Sequence, residues 1–160
     1  MRREVVAALR DSSFAIKKDI LLSIAKQYDG NDRWYLETLG SAMDSDADAW
    51  YNELKTGKSM ADFAWRLHPS NAIDDIMQRA LDSSLPAGER KRMLTALAFI
   101  NDKKAASAML SASKSSLPDV KEQANYWLSF RQGNDWFNLL DWSKLNLNTA
   151  YERKLAQMKV

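Results

Sequence analysis

Cysteine is absent from this 160-residue chain, and histidine occurs once. Without a thiol there is no disulfide frame, thiolate nucleophile, zinc–thiolate site or Cys-x-x-Cys-His haem attachment. With a single imidazole, His68, most zinc and acyl-transfer chemistries lack their usual parts. Glycine (five) and proline (three) are scarce, which argues against a turn-rich β architecture. No apolar run approaches the roughly 20 residues needed to cross a bilayer, so no membrane insertion is expected. Single-sign charge is also missing. Lys and Arg number 23 against 21 Asp and Glu, and dividing the chain at residue 80 gives only −2 and +4. That balance falls short of a nucleic-acid footprint.

What is present is apolar surface. Hydrophobic residues make up 46% of the chain, with six Trp, five Tyr and five Phe, enough to exclude disorder and to build an ordinary core. Its spacing is helical throughout. Ile16, Ile20, Ile24 and Tyr28 recur at i+4 beside Leu21 and Ala25, with Lys17, Lys18, Asp19, Ser23 and Lys26 opposite. Further stripes are Ala47-Trp50-Tyr51-Leu54, Met60-Phe63-Ala64-Leu67, Ile73-Met77-Ala80-Leu81, Met93-Leu97-Ile100 and Val120-Ala124-Trp127-Leu128. The pattern predicts an all-α chain of nine or ten helices, each of roughly 8 to roughly 16 residues.

Breaks between stripes carry helix-start chemistry. Pro69, Pro86 and Pro118 precede new stripes, and Ser70, Ser84 and Ser116 can accept from orphan amides there. Asp11-Ser12-Ser13, Asp82-Ser83-Ser84 and Lys114-Ser115-Ser116 each open a helix. The last two extend to the matching phrases Ser84-Leu85-Pro86 and Ser116-Leu117-Pro118. Helix pairs recurring at a period of roughly 32 to roughly 40 residues predict a right-handed α-solenoid of HEAT-like pairs. The alternative is an irregular helical bundle. Residues 1–160 read as one helical-repeat domain, whose abrupt start suggests a piece of a longer chain.

Chemical motifs reduce to simpler readings. Asp44-Ser45-Asp46-Ala47-Asp48 begins like a calcium loop, but Ala49 replaces the required Gly and Lys55 the bidentate Glu. Acidic residues beside a helix start explain it. Ser111-Ala112-Ser113-Lys114 and Lys55-Thr56-Gly57 match two penicillin-recognising phrases in reversed order, without the third. His68, between Leu67 and Pro69, suits a helix C-terminus. No catalytic residue, metal site or cofactor is expected.

Large aromatics either fill the core or line a binding groove. Trp34, Trp50 and Trp127 are expected in the core. Arg33 at the surface, with Trp136 and Trp142 near the end facing whatever comes next, are the candidate partner-binding residues. Around Asp29–Tyr35, Gly30 is expected to make the turn and Asp32 to cap the next helix, with Trp34 buried.

Three stretches carry a family resemblance. Tyr28-Asp-Gly-Asn-Asp-Arg-Trp-Tyr-Leu-Glu-Thr-Leu-Gly40, Phe63-Ala-Trp-Arg-Leu-His-Pro-Ser-Asn-Ala72 and Glu89 to Ile100 resemble phrases in one group of large bacterial multidomain proteins. These are described as membrane-bound dehydrogenases or haem-binding proteins, and the phrases lie in their HEAT-like helical middle segment. The resemblance implies a β-propeller upstream, a c-type cytochrome downstream and a periplasmic or other extracytoplasmic home. It carries no redox residue onto this chain. The leading expectation is a non-catalytic scaffold or protein-interaction segment. The alternative is a nucleic-acid-binding HEAT-like protein using Arg90, Lys91, Arg92, Lys103 and Lys104.

Overall fold

The structure, a computed structural model, describes residues 2–145. Nine α-helices account for most of them: α1 (Arg2–Leu9), α2 (Phe14–Ala25), α3 (Arg33–Met43), α4 (Ala47–Leu54), α5 (Met60–Leu67), α6 (Ile73–Ala80), α7 (Ala87–Ala98), α8 (Lys103–Ala112) and α9 (Pro118–Arg131). Short 3-10 turns occupy 44–46, 70–72 and 142–144, and the described residues contain no strand. The all-α expectation holds. The sequence reads residues 1–160 as one domain; the helices gather into two compact units, the first ending at Ala72 and the second starting at Ile73. Met1 and residues 146–160 lie outside the described residues.

Alternate helices pack on each other within each unit, and consecutive helices pack throughout the second unit but only as α1 on α2 and α4 on α5 in the first. In the first, α3 lies against both α1 and α5, and α4 against α5. Its even helices meet through Phe14 and Trp50, whose rings are edge-to-face at 4.7 Å. In the second, α7 packs on α6, α8 and α9, and α8 packs on α6 and α9. Ion pairs bridge alternate helices, four of them at separations of 29 or 30 residues and one, Lys18 to Glu53, at 35. Arg3 reaches Asp32 at 2.9 Å, Arg66 reaches Glu37 at 2.7 Å and Arg90 reaches Asp119 at 2.9 Å, each 29 residues apart. Lys104 reaches Asp74 at 2.6 Å across 30.

This spacing corrects the expected period. Helices two elements apart start closer together than expected, as from Arg33 to Met60 or from Ala47 to Ile73. Only the step from Phe14 to Ala47 reaches the low end of the expected range. The Ser-Ser phrases misled because Asp11-Ser12-Ser13 opens α2 while Asp82-Ser83-Ser84 precedes α7, which occupy different places in the alternation. Serine suits any helix entry, so its recurrence marks starts rather than repeats. Even so, Ser13 makes no side-chain cap bond, and Ser84 donates its hydroxyl to Asp82 in the turn before α7.

The stripe of α5 is oriented as expected, with Met60, Phe63, Ala64 and Leu67 buried, whereas α6 buries Ile73, Ile76 and Ala80 and leaves Met77 half-buried and Leu81 44% exposed. The phase of α2 is different. It buries Lys17, Leu21, Ile24 and Ala25, leaving Ile16 68% and Ile20 45% exposed. The Lys17 stem supplies apolar contact while its ammonium donates to Arg10 O at 3.1 Å, just past the carbonyl end of α1, where a cation is favoured. A lysine can therefore occupy a core position that the sequence pattern assigns to solvent.

Candidate functional site

The stretch from Asp29 to Tyr35 is built locally. Gly30 turns the chain at φ +85°, a conformation glycine adopts without side-chain conflict. Asp32 caps α3, accepting from the Tyr35 amide at 3.0 Å, and that bond, with help from Arg3, holds its carboxyl below the usual range. Tyr35 stacks on Tyr28 at 6.1 Å and donates its hydroxyl to Ile24 O at 2.9 Å. Tyr28 meets Phe63 edge-on at 5.8 Å, so one aromatic group ties together the loop after α2, α3 and α5.

Trp34 departs from expectation: it is 74% exposed. The cause is helical phase. Leu36, Leu39, Gly40 and Met43 form the buried stripe of α3, and at about 100° per residue Trp34 points roughly 160° away from Leu36. Arg33 is at the surface as expected. Its guanidinium lies 5.7 Å from the Trp65 ring centroid, with Nε 3.8 Å from Glu37. Arg33 thus sits over Trp65, while Trp34 stands exposed about 100° further around α3.

Trp136 is corrected as a candidate partner-binding residue, because it is wholly buried. The chain after α9 tucks the indole inward, where Nε1 donates to Ile100 O at 3.1 Å. Arg131 spans its ring and that of Phe99, 5.8 Å and 5.6 Å from their centroids, and binds Asp135 at 2.8 Å. Trp142 is half-buried, donating to the carbonyls of Trp136 and Phe137. Both indoles close the end of α9 rather than extend from it.

Surface aromatics that the sequence reading missed lie on and just after α9. Tyr126 and Phe130 are exposed and nearly parallel at 6.4 Å, Trp127 packs edge-on to both, and Phe137 is 67% exposed. Burial of Val120, Ala124 and Leu128 points the other way around the helix. Subtracting that stripe exposes the missed set.

Of the alternative basic set, Lys91, Arg92, Lys103 and Lys104 are exposed and Arg90 is not. Arg90 is buried, gripping Asp119 and the Leu85 carbonyl, and Lys104 is paired with Asp74. The Asp44–Asp48 carboxylates have structural partners: Arg66 holds Asp44, Ser45 donates to Asp46, and Ser70 donates to Asp48. Among the described residues no group of three His, Cys, Asp or Glu could hold a metal, and no helix is long and apolar enough to cross a membrane. His68 ends α5 at φ 51°, in the left-handed position, with its backbone amide bonded to Ala64 O. Its exposed ring stands at a helix end, as the sequence suggested.

These features define an all-helical protein with exposed aromatic residues, Trp34, Tyr126, Phe130 and Phe137. Compared with known proteins, the chain matches no family model, no curated protein and no solved structure.

Proposed function

We propose that this chain is a non-catalytic helical-repeat scaffold that docks neighbouring domains or a protein partner. Its architecture on this reading is a right-handed α-solenoid of HEAT-like helix pairs. The observation that carries it is the alternate-helix packing within each unit, fastened by ion pairs whose members lie 29, 30 or 35 residues apart. Such repetition is how a stack of helix pairs buries a continuous core. The resemblance of Tyr28–Gly40 to the helical segment of bacterial membrane-bound dehydrogenase and haem-binding multidomain proteins adds a setting. On it, this chain is a segment of a redox-type protein outside the cytoplasm, and propeller-like and c-type cytochrome domains are its partners.

Assay of the 160-residue chain with sugars or alcohols, with quinone or metal supplied, should give no turnover; measurable turnover overturns the scaffold reading. The alternative of nucleic-acid binding predicts micromolar binding at low salt. The engagement of Arg90 and Lys104 within the fold counts against it.

A further inference from the structure

Part of α9 keeps aromatic rings in contact with solvent. Tyr126 is 40% and Phe130 44% exposed, and Phe137, in the turn just past the helix, is 67% exposed. At about 100° per residue, Glu122, Tyr126 and Phe130 follow one line along α9, roughly 120° to roughly 160° around from the buried Ala124. Trp127 packs edge-on to both rings, and its indole N–H is buried without an acceptor among the described residues. Buried donors of that kind are rare, because each forfeits a hydrogen bond to water.

The described residues end beside this face. The Trp136 amide donates to Arg131 O at 3.3 Å, the Trp142 indole to Phe137 O at 3.0 Å and the Leu145 amide to Trp142 O at 3.1 Å. Leu145 is thus held near the C-terminal end of α9, with residues 146–160 following it in the sequence. That stretch reads as an amphipathic helix. Thr149-Ala150-Tyr151-Glu152 has the pattern of a capping box. Tyr151, Leu155 and Met158 then recur at i, i+4 and i+7, with Arg153 and Gln157 opposite and no Gly or Pro among them.

We propose that the chain's own tail covers this face, residues 150–159 docking as a helix antiparallel to α9 over Tyr126 and Phe130. From the end of α9, a helix laid on this face has one direction open, back toward Pro118. Four extended residues, 146–149, reach up to about 13 Å. Ten helical residues span about 15 Å, against about 12 Å from Phe130 to Glu122. The length therefore suffices to carry Tyr151, Leu155 and Met158 across both rings. Tethering selects this occupant, since a short linker holds the tail at an effective concentration that a second copy or a free partner does not reach. A helix of this length is marginal alone, so its ordering and its docking are one step. With the tail seated, the aromatic face of α9 is an internal contact, closed to partners.

The test is amide hydrogen exchange on the full 160-residue chain. Amides of 151–159 should exchange slowly, and Leu155→Glu or Phe130→Ser should each speed their exchange by about tenfold or more. Protection of α7 and α8 should stay unchanged, because Phe130 is at the surface and Leu155 follows the last described helix. The chain has no cysteine, so Glu122→Cys, at an exposed position, gives a single spin-label site. The label should broaden amide signals near Met158 more than those near Thr149. Tail amides that exchange freely overturn the proposal and leave the face to a partner. Protection indifferent to both substitutions overturns it too, since the tail is then seated elsewhere. Stronger broadening near Thr149 overturns the antiparallel direction. Broadening passed from labelled to unlabelled chains in a mixture makes a second copy the cover and overturns the tail. None of these results touches the scaffold reading, which stands or falls on turnover.

Discussion

The two units finish their helix stacks in opposite ways. The first begins with α1 and α2, whose outward flanks carry Val5, Ile16 and Ile20 in contact with solvent. The second ends with α9, followed by a turn segment that folds Trp136 inside and pins it to Ile100 O. Residues on α9 away from Asp119 and α7, such as Lys121, Asn125 and Gln132, are polar. A helical stack needs a polar covering wherever packing stops, because an apolar flank left in water forfeits its burial energy. At α9 the flank carrying Lys121 and Asn125 has that covering, while Tyr126 and Phe130 stand exposed elsewhere on the helix. The flank of α1 and α2 that carries Val5, Ile16 and Ile20 lacks it.

Deleting the plug of the second unit should have the largest effect. Trp136→Ala removes a fully buried indole and a hydrogen bond, and should cost about 3–5 kcal/mol in chemical denaturation. Trp50→Ala, its buried counterpart in the first unit, should fall in the same range of about 3–5 kcal/mol. If Trp136 proved much cheaper than Trp50, the contrast between a closed and an open end would collapse.

Next in size is the ion pair between α7 and α9. Arg90→Ala leaves Asp119 and the Leu85 carbonyl without their shared donor, at about 2–3 kcal/mol. Acid should reproduce part of this loss. Arg90 holds the Asp119 carboxyl below its ordinary value, so the folded state binds this proton more weakly than the unfolded chain does. The resulting stability is present above about pH 4 and lost as pH falls through the depressed value. Asp119→Asn should flatten that acid limb in a melting-temperature profile.

In the first unit the corresponding clamp depends on a glycine. A Cβ on Gly40 would run into the Arg66 side chain, only 2.6 Å from its Cγ. Gly40→Ala should therefore displace Arg66 from Glu37 and Asp44, costing about 1–2 kcal/mol despite alanine's better helix propensity. Smallest is Trp34→Ala, at less than about 0.5 kcal/mol by calorimetry, as for other exposed positions. Loss of a partner's binding without loss of stability would mark Trp34 as a hot spot. A change of several kcal/mol would instead mean that the indole is packed.

The residue order alone determined the helical class, the Gly30 turn, the Asp32 cap and the inward face of α5. These depend on backbone chemistry or on apolar spacing with strong contrast, both local properties. The outward position of Trp34 was also legible, because Leu36, Leu39, Gly40 and Met43 fix the phase of α3 and the indole lies off it. Weight given to its size obscured that phase. Tertiary structure decided the rest. On α2, Ile16 and Ile20 lie on one side of the buried stripe and a lysine stem takes a place within it, so only the neighbours α1, α3 and α4 select which face is buried. Trp136 shows the same limit from the other side. An indole after the last helix suits an open surface or a plug equally well, and the choice waits for Ile100 O to come within reach of its N–H. Contacts distant in sequence set that choice, because periodicity places a side chain around its own helix but not against another.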